Sequence, residues 1–590
     1  MPAVSFLLPK RLPFMLKGLG TKLWEPSVYS SAAARIISLI FTVVVGLIVF
    51  LPICALVFGS FWSGSPVAKD AYLTLDNWSR AFSMTIPATL PVLFLNSLLF
   101  AVLVAILSVT LGVAMAYLVE RTDMPFGHIF EQLAILPRAF PIIIAALAWM
   151  LLLSPKIGLL NVLSRELFGS PLFNIYSFPG MVFLMVLYES PIVFLIALSA
   201  FRLMDPALEE QSMVCGNSLL GTLFRVTLPV MRPLILSAFM LVFIIGIITL
   251  EVPIIIGMPG GVFVFTTAIF QLIATDYQSL NYYNTAAALA MMIIPITMTM
   301  LFLYRRLVSG VEKFVTIAGK PSVRSVQKLG PWRYVTASVL SLYFFMVMLL
   351  PALVVVLLSF SEFISAPSME LLSRLTLKHW TRVLNDTVFW RALKNTLILA
   401  SVGATLSVVL AFAVGYVLIR SSAKFKGMIE GTAMLPLAFP GTVLAIGFVW
   451  VYIRTPVYGS LWILLFYFVG NYLPFALRTL SPFLFQFHKE LEEASWISGA
   501  GPLRTIVRII IPFLRGGLFA VWILLFQIYI REFAGAIILF SFGNEVLSTL
   551  LFLRAFEEGS LGVGAVLGAL MLALSLGLHI SVVRRIKVVA

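Results

Sequence analysis

Glu210, Gly216 and Leu228-Pro229 recur in this 590-residue chain as Glu493-Ala494, Gly499 and Ile511-Pro512. The Glu, Gly and Pro of the two copies are each 283 residues apart, so nothing has been inserted between them. A carboxylate on a short polar helix offers an ion pair or a backbone contact to a partner. A glycine further along supplies the left-handed backbone at which a helix can end and turn. This is docking chemistry rather than a catalytic set. A second group, Glu189, Glu251, Arg531 and Glu532, consists of ionisable side chains within apolar stretches. Charge at membrane depth is costly and tends to face a cavity or a partner, so these four are candidates for a translocation path. The alternative is that they satisfy local hydrogen bonds or pair with a neighbour such as Arg531.

The elements that must hold these residues follow from composition. Hydrophobic side chains make up 61% of the chain, charged ones 11%, and the mean hydropathy is +1.06, which excludes a soluble globular class. Apolar stretches able to cross a hydrocarbon layer of about 30 Å fall near 36–59, 91–119, 131–154, 176–201, 232–256 and 285–304. A second set falls near 335–359, 391–419, 432–453, 460–486, 515–540 and 562–583. The expectation is an all-α polytopic membrane protein of 12 transmembrane helices, its first span uncleaved. Of the 40 Lys and Arg, 27 lie at the termini and even-numbered connections, seven of them from Arg305 to Arg333, whereas 257–284 holds none. Basic loops resist translocation, so both termini are expected in the cytoplasm. The loop 361–394 breaks this rule, placing Arg374, Lys378, Arg382, Arg391 and Lys394 outside. The net charge of +15 then reads as orientation in the lipid bilayer and headgroup contact, with no nucleic acid as partner. Two cysteines imply no disulfide framework, and four scattered histidines imply no metal cluster.

The repeat extends over most of the chain. Pro52 pairs with Pro351, Asn96 with Asn395, Tyr117 with Tyr416, and Leu136-Pro-Arg-Ala-Phe-Pro141 with Leu435-Pro-Leu-Ala-Phe-Pro440, all at an offset of 299. From Pro191 and Pro474 the offset is 283, which places a 16-residue insertion in the first half between Ser154 and Tyr176. Six spans are an even number, so both halves enter the membrane in the same direction. Two parallel six-helix repeats about an axis along the membrane normal imply a path between the halves. Outside, Leu73 to Trp78 matches Leu375 to Trp380, either as interfacial Trp anchors or as a docking surface for an extracytoplasmic partner.

Each copy of the opening element reads as helix, break, helix. Asp205 can cap the first helix, Pro206 suits its first position, and Gly216 or Gly499 ends it. Pro229 and Pro512 are expected to stop the second short helix near the membrane. Glu493-Ala494-Ser495 with Gly499, Ile509, Ile511 and Pro512 resembles the EAA loop of importer-type ABC permeases of the binding-protein-dependent class. The first copy departs from that pattern at Gln211, Ser212 and Val226.

The resemblance covers roughly 36–585 and implies a type I ABC importer-like fold. Its permease domains would be 36–306 and 335–585, joined by a basic cytoplasmic linker at 307–334 and preceded by a cytoplasmic segment at 1–35. It implies that Glu210, Gly216, Leu228, Pro229, Glu493, Ala494, Gly499, Ile511 and Pro512 couple the chain to two cytoplasmic ATP-binding cassette subunits. Those subunits would bind ATP and Mg, and a periplasmic or extracellular substrate-binding protein would deliver the cargo. The location implied is the bacterial inner (plasma) membrane. The chain is not expected to be an enzyme or to hold a cofactor of its own: Gly319-Lys320 is followed by Pro321, and Phe314 stands where a phosphate-cradling loop needs its first Gly.

Leu-Pro-x-Ala-Phe-Pro after the second span of each half, and Arg531-Glu532, look like the ferric-iron branch of this class, whose relatives carry thiamine, phosphonates, sugar phosphates and polyamines. For hard Fe³⁺ the carboxylates of Glu251 and Glu532 would be suitable passing contacts, and Asp276, Tyr277, Tyr282 and Tyr283 could line an entry or anchor the interface. The rival from another class is a secondary transporter of the major-facilitator type. It calls for a basic, Gly-rich loop between the second and third spans, where this chain has Glu120-Arg-Thr-Asp-Met-Pro-Phe126.

Overall fold

The computed structural model describes residues 40–589 apart from 42, 65, 69, 86, 139, 276–281, 312–325, 363–374 and 421–425. The segment 1–35, most of the linker, Gly319-Lys320, Arg374, Asp276 and Tyr277 therefore lie outside the described residues. The remainder is helical, with three isolated bridges and no strand among the described residues.

In the first half α1 is Val43–Ser60, α2 Leu90–Arg121, α3 Ile142–Leu153, α4 Phe178–Leu203, α5 Ala207–Val214, α6 Leu219–Ile248 and α7 Tyr282–Val311. In the second, α8 is Trp332–Ser359, α9 Thr387–Arg420, α10 Gly441–Tyr452, α11 Leu461–Gln486, α12 Lys489–Ile497, α13 Pro502–Arg531 and α14 Leu561–Val589. Ten helices are long and apolar enough to cross a membrane, or up to 13 if each of three bent pairs is one span. The expected 12 falls within that range.

Lipid tails are as apolar as leucine, so close packing rather than water exclusion holds such helices together. The second helix of each half packs on the fourth and fifth, α2 on α4 and α6, and α9 on α11 and α13. The first helices cross over: α1 lies against α10, and α8 against α3. The exchange depends on Gly447, where a methyl group would overlap the Pro52 carbonyl oxygen of α1. Across the same boundary Tyr188 Oη donates to Val347 O and Tyr343 Oη to Leu187 O, both at 2.7 Å, tying α4 to α8.

The structure corrects three sequence expectations, all through backbone chemistry. The spans at 131–154 and 432–453 are not continuous. Each breaks at its Leu-Pro-x-Ala-Phe-Pro run, the second with a bend of 114° between Lys426–Ala438 and Gly441–Tyr452. Two prolines remove donors and push the residues before them out of the helical region. The fifth spans stop early, at Ile248 and Arg531 rather than near 256 and 540, because Thr249 and Glu532 are extended. Pro229 and Pro512, conversely, stop nothing. One π turn precedes each, with Leu228 N–H donating to Leu223 O and Ile511 N–H to Ile506 O, so α6 and α13 run on unbroken. The wider turn absorbs the missing donor and the ring clash. Pro52 and Pro351 follow π turns of the same kind.

After each early stop the chain returns through short helices, fastened alike in both halves. Asn96 Nδ2 donates to Phe263 O at 3.0 Å and Asn395 Nδ2 to Glu545 O at 3.0 Å, which gives the matched asparagines their purpose. Ser97 and Thr396 accept from Phe265 N–H and Leu547 N–H, both at 2.9 Å. Two of the described bases in the basic loop are neutralised, Arg391 by two 2.9 Å bonds to Glu545 and Lys378 by Glu362 at 3.1 Å, while the loop's Asp386 is taken up by Arg554 at 2.8 Å. Burial opposes ionisation of Glu545, but the Arg391 guanidinium and the Gly543 amide outweigh it and hold the carboxyl below its ordinary range.

Gly447→Ala is expected to destabilise the fold by about 1–3 kcal/mol, the usual consequence of overpacking. Gly516→Ala in α13, where a methyl group meets nothing within 4 Å, should cause no loss. Thermal melting of the purified protein in detergent compares them, and equal melting would remove Gly447 from the crossing.

Candidate functional site

The repeated element folds as a short helix, a left-handed turn and the first turns of a long helix, α6 or α13. Asp205 Oδ1 accepts from Ala207 N–H at 3.0 Å, capping α5 as its sequence suggests. Gly216 has φ +90° and Gly499 φ +82°, a region that a side chain would strain. Past the end of α12, Gly499 N–H reaches Trp496 O and Ala500 N–H reaches Ser495 O, satisfying carbonyls that the helix leaves open. Across each turn runs a buried hydroxyl pair absent from the sequence reading, Ser212 to Thr222 at 2.9 Å and Ser495 to Thr505 at 2.8 Å. Both pairs repeat at the 283 offset, the signal by which they could have been found.

The carboxylates that anchor the element are Glu209 and Glu492, each one residue before the Glu singled out by the motif. Arg121 Nε lies 2.9 Å from Glu209 Oε2, a close ionic contact rather than an aligned hydrogen bond, with both side chains only 3% exposed. Thr227 Oγ1 donates to the other oxygen at 2.7 Å, and Arg121 Nη2 reaches the Phe201 and Met204 carbonyls. In the second half Arg420 Nε donates to Glu492 at 2.8 Å, Tyr416 Oη to the same carboxylate at 3.2 Å, and Arg420 Nη2 to Phe487 O. The ends of α2 and α4, or of α9 and α11, are thereby fastened to one short helix.

Glu210 and Ala494 are exposed, and Glu493 is half-exposed beside Lys489 at 3.1 Å. Leu228 is partly covered, while Pro229, Ile511 and Pro512 are exposed on α6 and α13. The sequence reading missed the apolar side chains next to them. Val214 is 88% exposed and its repeat partner Ile497 74%. Leu220 with Leu503, and Phe224 with Val507, are exposed in matching positions. Three apolar knobs thus stand on each element beside the half-free carboxylate, an arrangement fitted to a groove with an apolar floor.

The four intramembrane candidates meet at one cavity of about 480 Å³ between the halves, which Glu189, Glu251, Arg531 and Glu532 all line together with Arg138. Arg138 Nη2 donates to Glu189 Oε2 at 2.9 Å. Glu532 accepts from Tyr467 Oη at 3.2 Å, from Gly535 N–H at 3.1 Å and from Tyr472 Oη. Glu251 accepts from Thr249 Oγ1 at 3.1 Å and Leu250 N–H at 3.2 Å, and Arg531 donates to the Arg138 carbonyl. No group of three or more His, Cys, Asp or Glu able to hold a metal exists among the described residues. Repeat positions differ in chemistry here, with Leu437 opposite Arg138 and Tyr472 opposite Glu189. Glu251 has no counterpart of its own kind, since Glu532 corresponds to Thr249.

Residues 108–313 match the family described as binding-protein-dependent transport system inner membrane component. The chain is 25% identical to the ferric transport system permease protein FbpB of Actinobacillus pleuropneumoniae over 495 residues, 82% of this chain and 69% of that protein. It is 24% identical over 461 residues, 77% of this chain and 82% of the other, to the Fe(3+)-transport system permease protein FbpB 2 of Haemophilus influenzae. A third relative, the trehalose/maltose transport system permease protein MalG of Thermococcus litoralis, is 29% identical over 197 residues, 32% of this chain and 69% of that one. This is a family of transport components that work with ATPase and substrate-binding partners, not of ATPases. The family match lies in the first half, the relatives named as ferric transport permeases align across most of the chain's length, and the second half repeats the plan of the first.

Proposed function

We propose that the chain is the membrane-spanning subunit of an ATP-driven importer of ferric iron, taking its cargo from a soluble binding protein outside the membrane. Two ATP-binding subunits dock on the cytoplasmic elements α5 and α12, and their closure on ATP shifts the halves between outward-open and inward-open states. The observation that carries this reading is the pair of matched docking elements, each pinned by a buried ion pair and each presenting three exposed apolar side chains at equivalent positions. Two matching sets of three knobs call for two like grooves, which a pair of like subunits supplies. The domains remain those at 36–306 and 335–585, with cytoplasmic termini and a bacterial inner-membrane location.

Ferric iron is favoured by the relatives aligned over most of the chain, which are named for it. The cavity suits passage rather than tight chelation: Glu189 is engaged by Arg138, Glu532 by Tyr467 and Tyr472, and Glu251 by the lighter contacts of Thr249 Oγ1 and the Leu250 N–H. Affinity then resides in the binding protein. The guanidinium groups of Arg138 and Arg531 favour a second reading in which the cargo is an oxyanion such as a phosphonate or sugar phosphate. Uptake of radiolabelled iron against labelled phosphonate by the same proteoliposomes separates the two.

In the reconstituted complex, Val214→Asp combined with Ile497→Asp should leave thermal melting unchanged and weaken ATPase binding by about thirtyfold per element, the 2 kcal/mol of an interface hot spot. Iron uptake should fall with it. Unchanged co-purification and uptake would show that the knobs do not dock the ATPase. Cargo uptake that ignores ATP and follows an ion gradient would reinstate the secondary transporter.

The neighbouring glutamates give a second comparison. Glu209→Gln leaves Arg121 buried without its counter-charge and should destabilise the protein by about 3–5 kcal/mol. Glu210→Gln, on the exposed face, should melt like wild type and affect only the partner contact. A reversed order of melting temperatures would assign the anchoring role to Glu210.

A further inference from the structure

The end of the link between the halves is stitched to the first half. Gln327 N–H donates to Arg121 O and Asp123 N–H to Gln327 O, both at 3.0 Å, forming a short parallel bridge. Tyr117 Oη donates to Gln327 Oε1 at 2.8 Å, and Leu329 N–H donates to Asp123 Oδ1 at 2.8 Å. Gln327 Nε2 lies 4.0 Å from Met213 Sδ of α5, and Arg333 of α8 lies 3.8 Å from Asp123. One stretch of chain, Arg121 to Asp123, therefore holds α5 through the buried Arg121–Glu209 contact and the entry to the second half through residues 327–329. Tyr117 has its repeat partner in Tyr416, whose hydroxyl is spent on Glu492 instead.

The strap leads directly to the cavity wall. It enters α8 at Trp332, and α8 is bonded to α4 by the two tyrosine contacts, Tyr343 to Leu187 O and Tyr188 to Val347 O. Glu189, which lines the cavity and pairs with Arg138, is the next residue of α4. Phe344 of α8 also stacks on Phe130, with ring centres 5.9 Å apart and planes 13° from parallel.

We infer that residues 327–329 are a working part of the first coupling element, binding α5, the end of α2 and the start of α8 into one body, with Gln327 and Asp123 as positioning residues. The inference rests on the importer reading. It makes the two coupling elements mechanically unequal: movement at α5 reaches the second half through α8, while α12 is fastened within its own half. A contiguous chain of contacts is only a structural warrant, and the decisive observation is a measured change in coupling.

Two alterations in the complete complex, with its ATPase and binding protein in proteoliposomes, test it. Insertion of four Gly/Ser residues between Leu329 and Gly330 leaves the strap bonded but slackens its link to α8. The complex should assemble while labelled iron taken up per ATP hydrolysed falls at least about fivefold, the lower range of coupling between sites. A disulfide between Thr122→Cys and Gln327→Cys, the two residues paired in the parallel bridge, with Cys54 and Cys215 changed to Ser, locks the strap on. Uptake should stay within about twofold of the reduced form, below the usual range of a coupling effect. A wild-type uptake ratio after insertion would reduce the strap to a spacer. A disulfide that stops uptake until it is reduced would show that the strap must let go. Should the insertion fail to assemble, Tyr117→Phe, which removes only the hydroxyl that Gln327 accepts, must lower the same ratio or the inference falls. Wild-type protein without ATP-driven uptake would remove the importer reading itself, and the inference with it.

Discussion

A guanidinium and a carboxylate, paired at the same end of each half and largely shielded from water, fix the geometry on which the remaining structure depends. Taking two such charges out of water costs several kcal/mol per ion, and their attraction offsets this only when the remaining donors and acceptors are also satisfied. Here they are. Arg121 and Arg420 direct further N–H groups to main-chain carbonyls at the end of the fourth helix, and the carboxylates take a second hydrogen bond from Thr227 or Tyr416. Three elements consequently meet at one point that none can leave without stranding a charge. The short helix outside the membrane becomes an extension of the bundle, and a push on it displaces helices rather than bending a loop.

Much of this was legible in the sequence, because duplication supplies an internal control. The left-handed glycines, the matched asparagines and the convergence of charged residues from distant spans on one cavity all follow from residues that recur at fixed offsets or sit where lipid forbids them. The anchoring glutamate lies one residue before the one the motif singles out, and the motif does not mark it. In Glu209-Glu210 and Glu492-Glu493 both carboxylates suit a polar helix, and only a partner remote in sequence decides which one is buried. That partner repeats too, as Arg121 and Arg420, but an arginine at the end of an apolar run reads first as a topology signal. Proline misled for a related reason: its missing donor is local information, while the response of the backbone depends on what surrounds it.

The two halves agree where the backbone must be satisfied and differ where cargo would pass. Within lipid an unpaired N–H or C=O cannot turn to water, so the bonds closing the chain after the early stop of the fifth helix are the same in both. Thr266 Oγ1 donates to Thr249 O, Ser548 Oγ to Glu532 O, and Ser97 and Thr396 cap the returning helices. The cavity wall is free of that constraint. One half contributes Arg138, Glu189 and Glu251, the other Arg531 and Glu532, and a phenol or an alkyl group faces what was once an identical position. The cavity therefore presents a different field to each side of a bound ion, although the scaffold around it is close to two-fold symmetric.

Proline serves two mechanical purposes in this frame, and the difference separates moving parts from lining parts. Where one proline follows a π turn, as at Pro229 and Pro512, the helix stays continuous and joins the docking element to the fifth span as one rod. Where two prolines bracket three residues, as from Pro137 to Pro141 and from Pro436 to Pro440, the helix turns a corner. Both corners lie at the cavity, contributing Pro137, Arg138 and Phe140 from one half and Pro436, Leu437 and Phe439 from the other. The fifth helices reach the same cavity through Ile248 and Arg531. On the importer reading proposed above, displacement of a rod by its docking element would change its distance from a corner built into the bundle, and the cavity between them would open or narrow without any helix having to unwind.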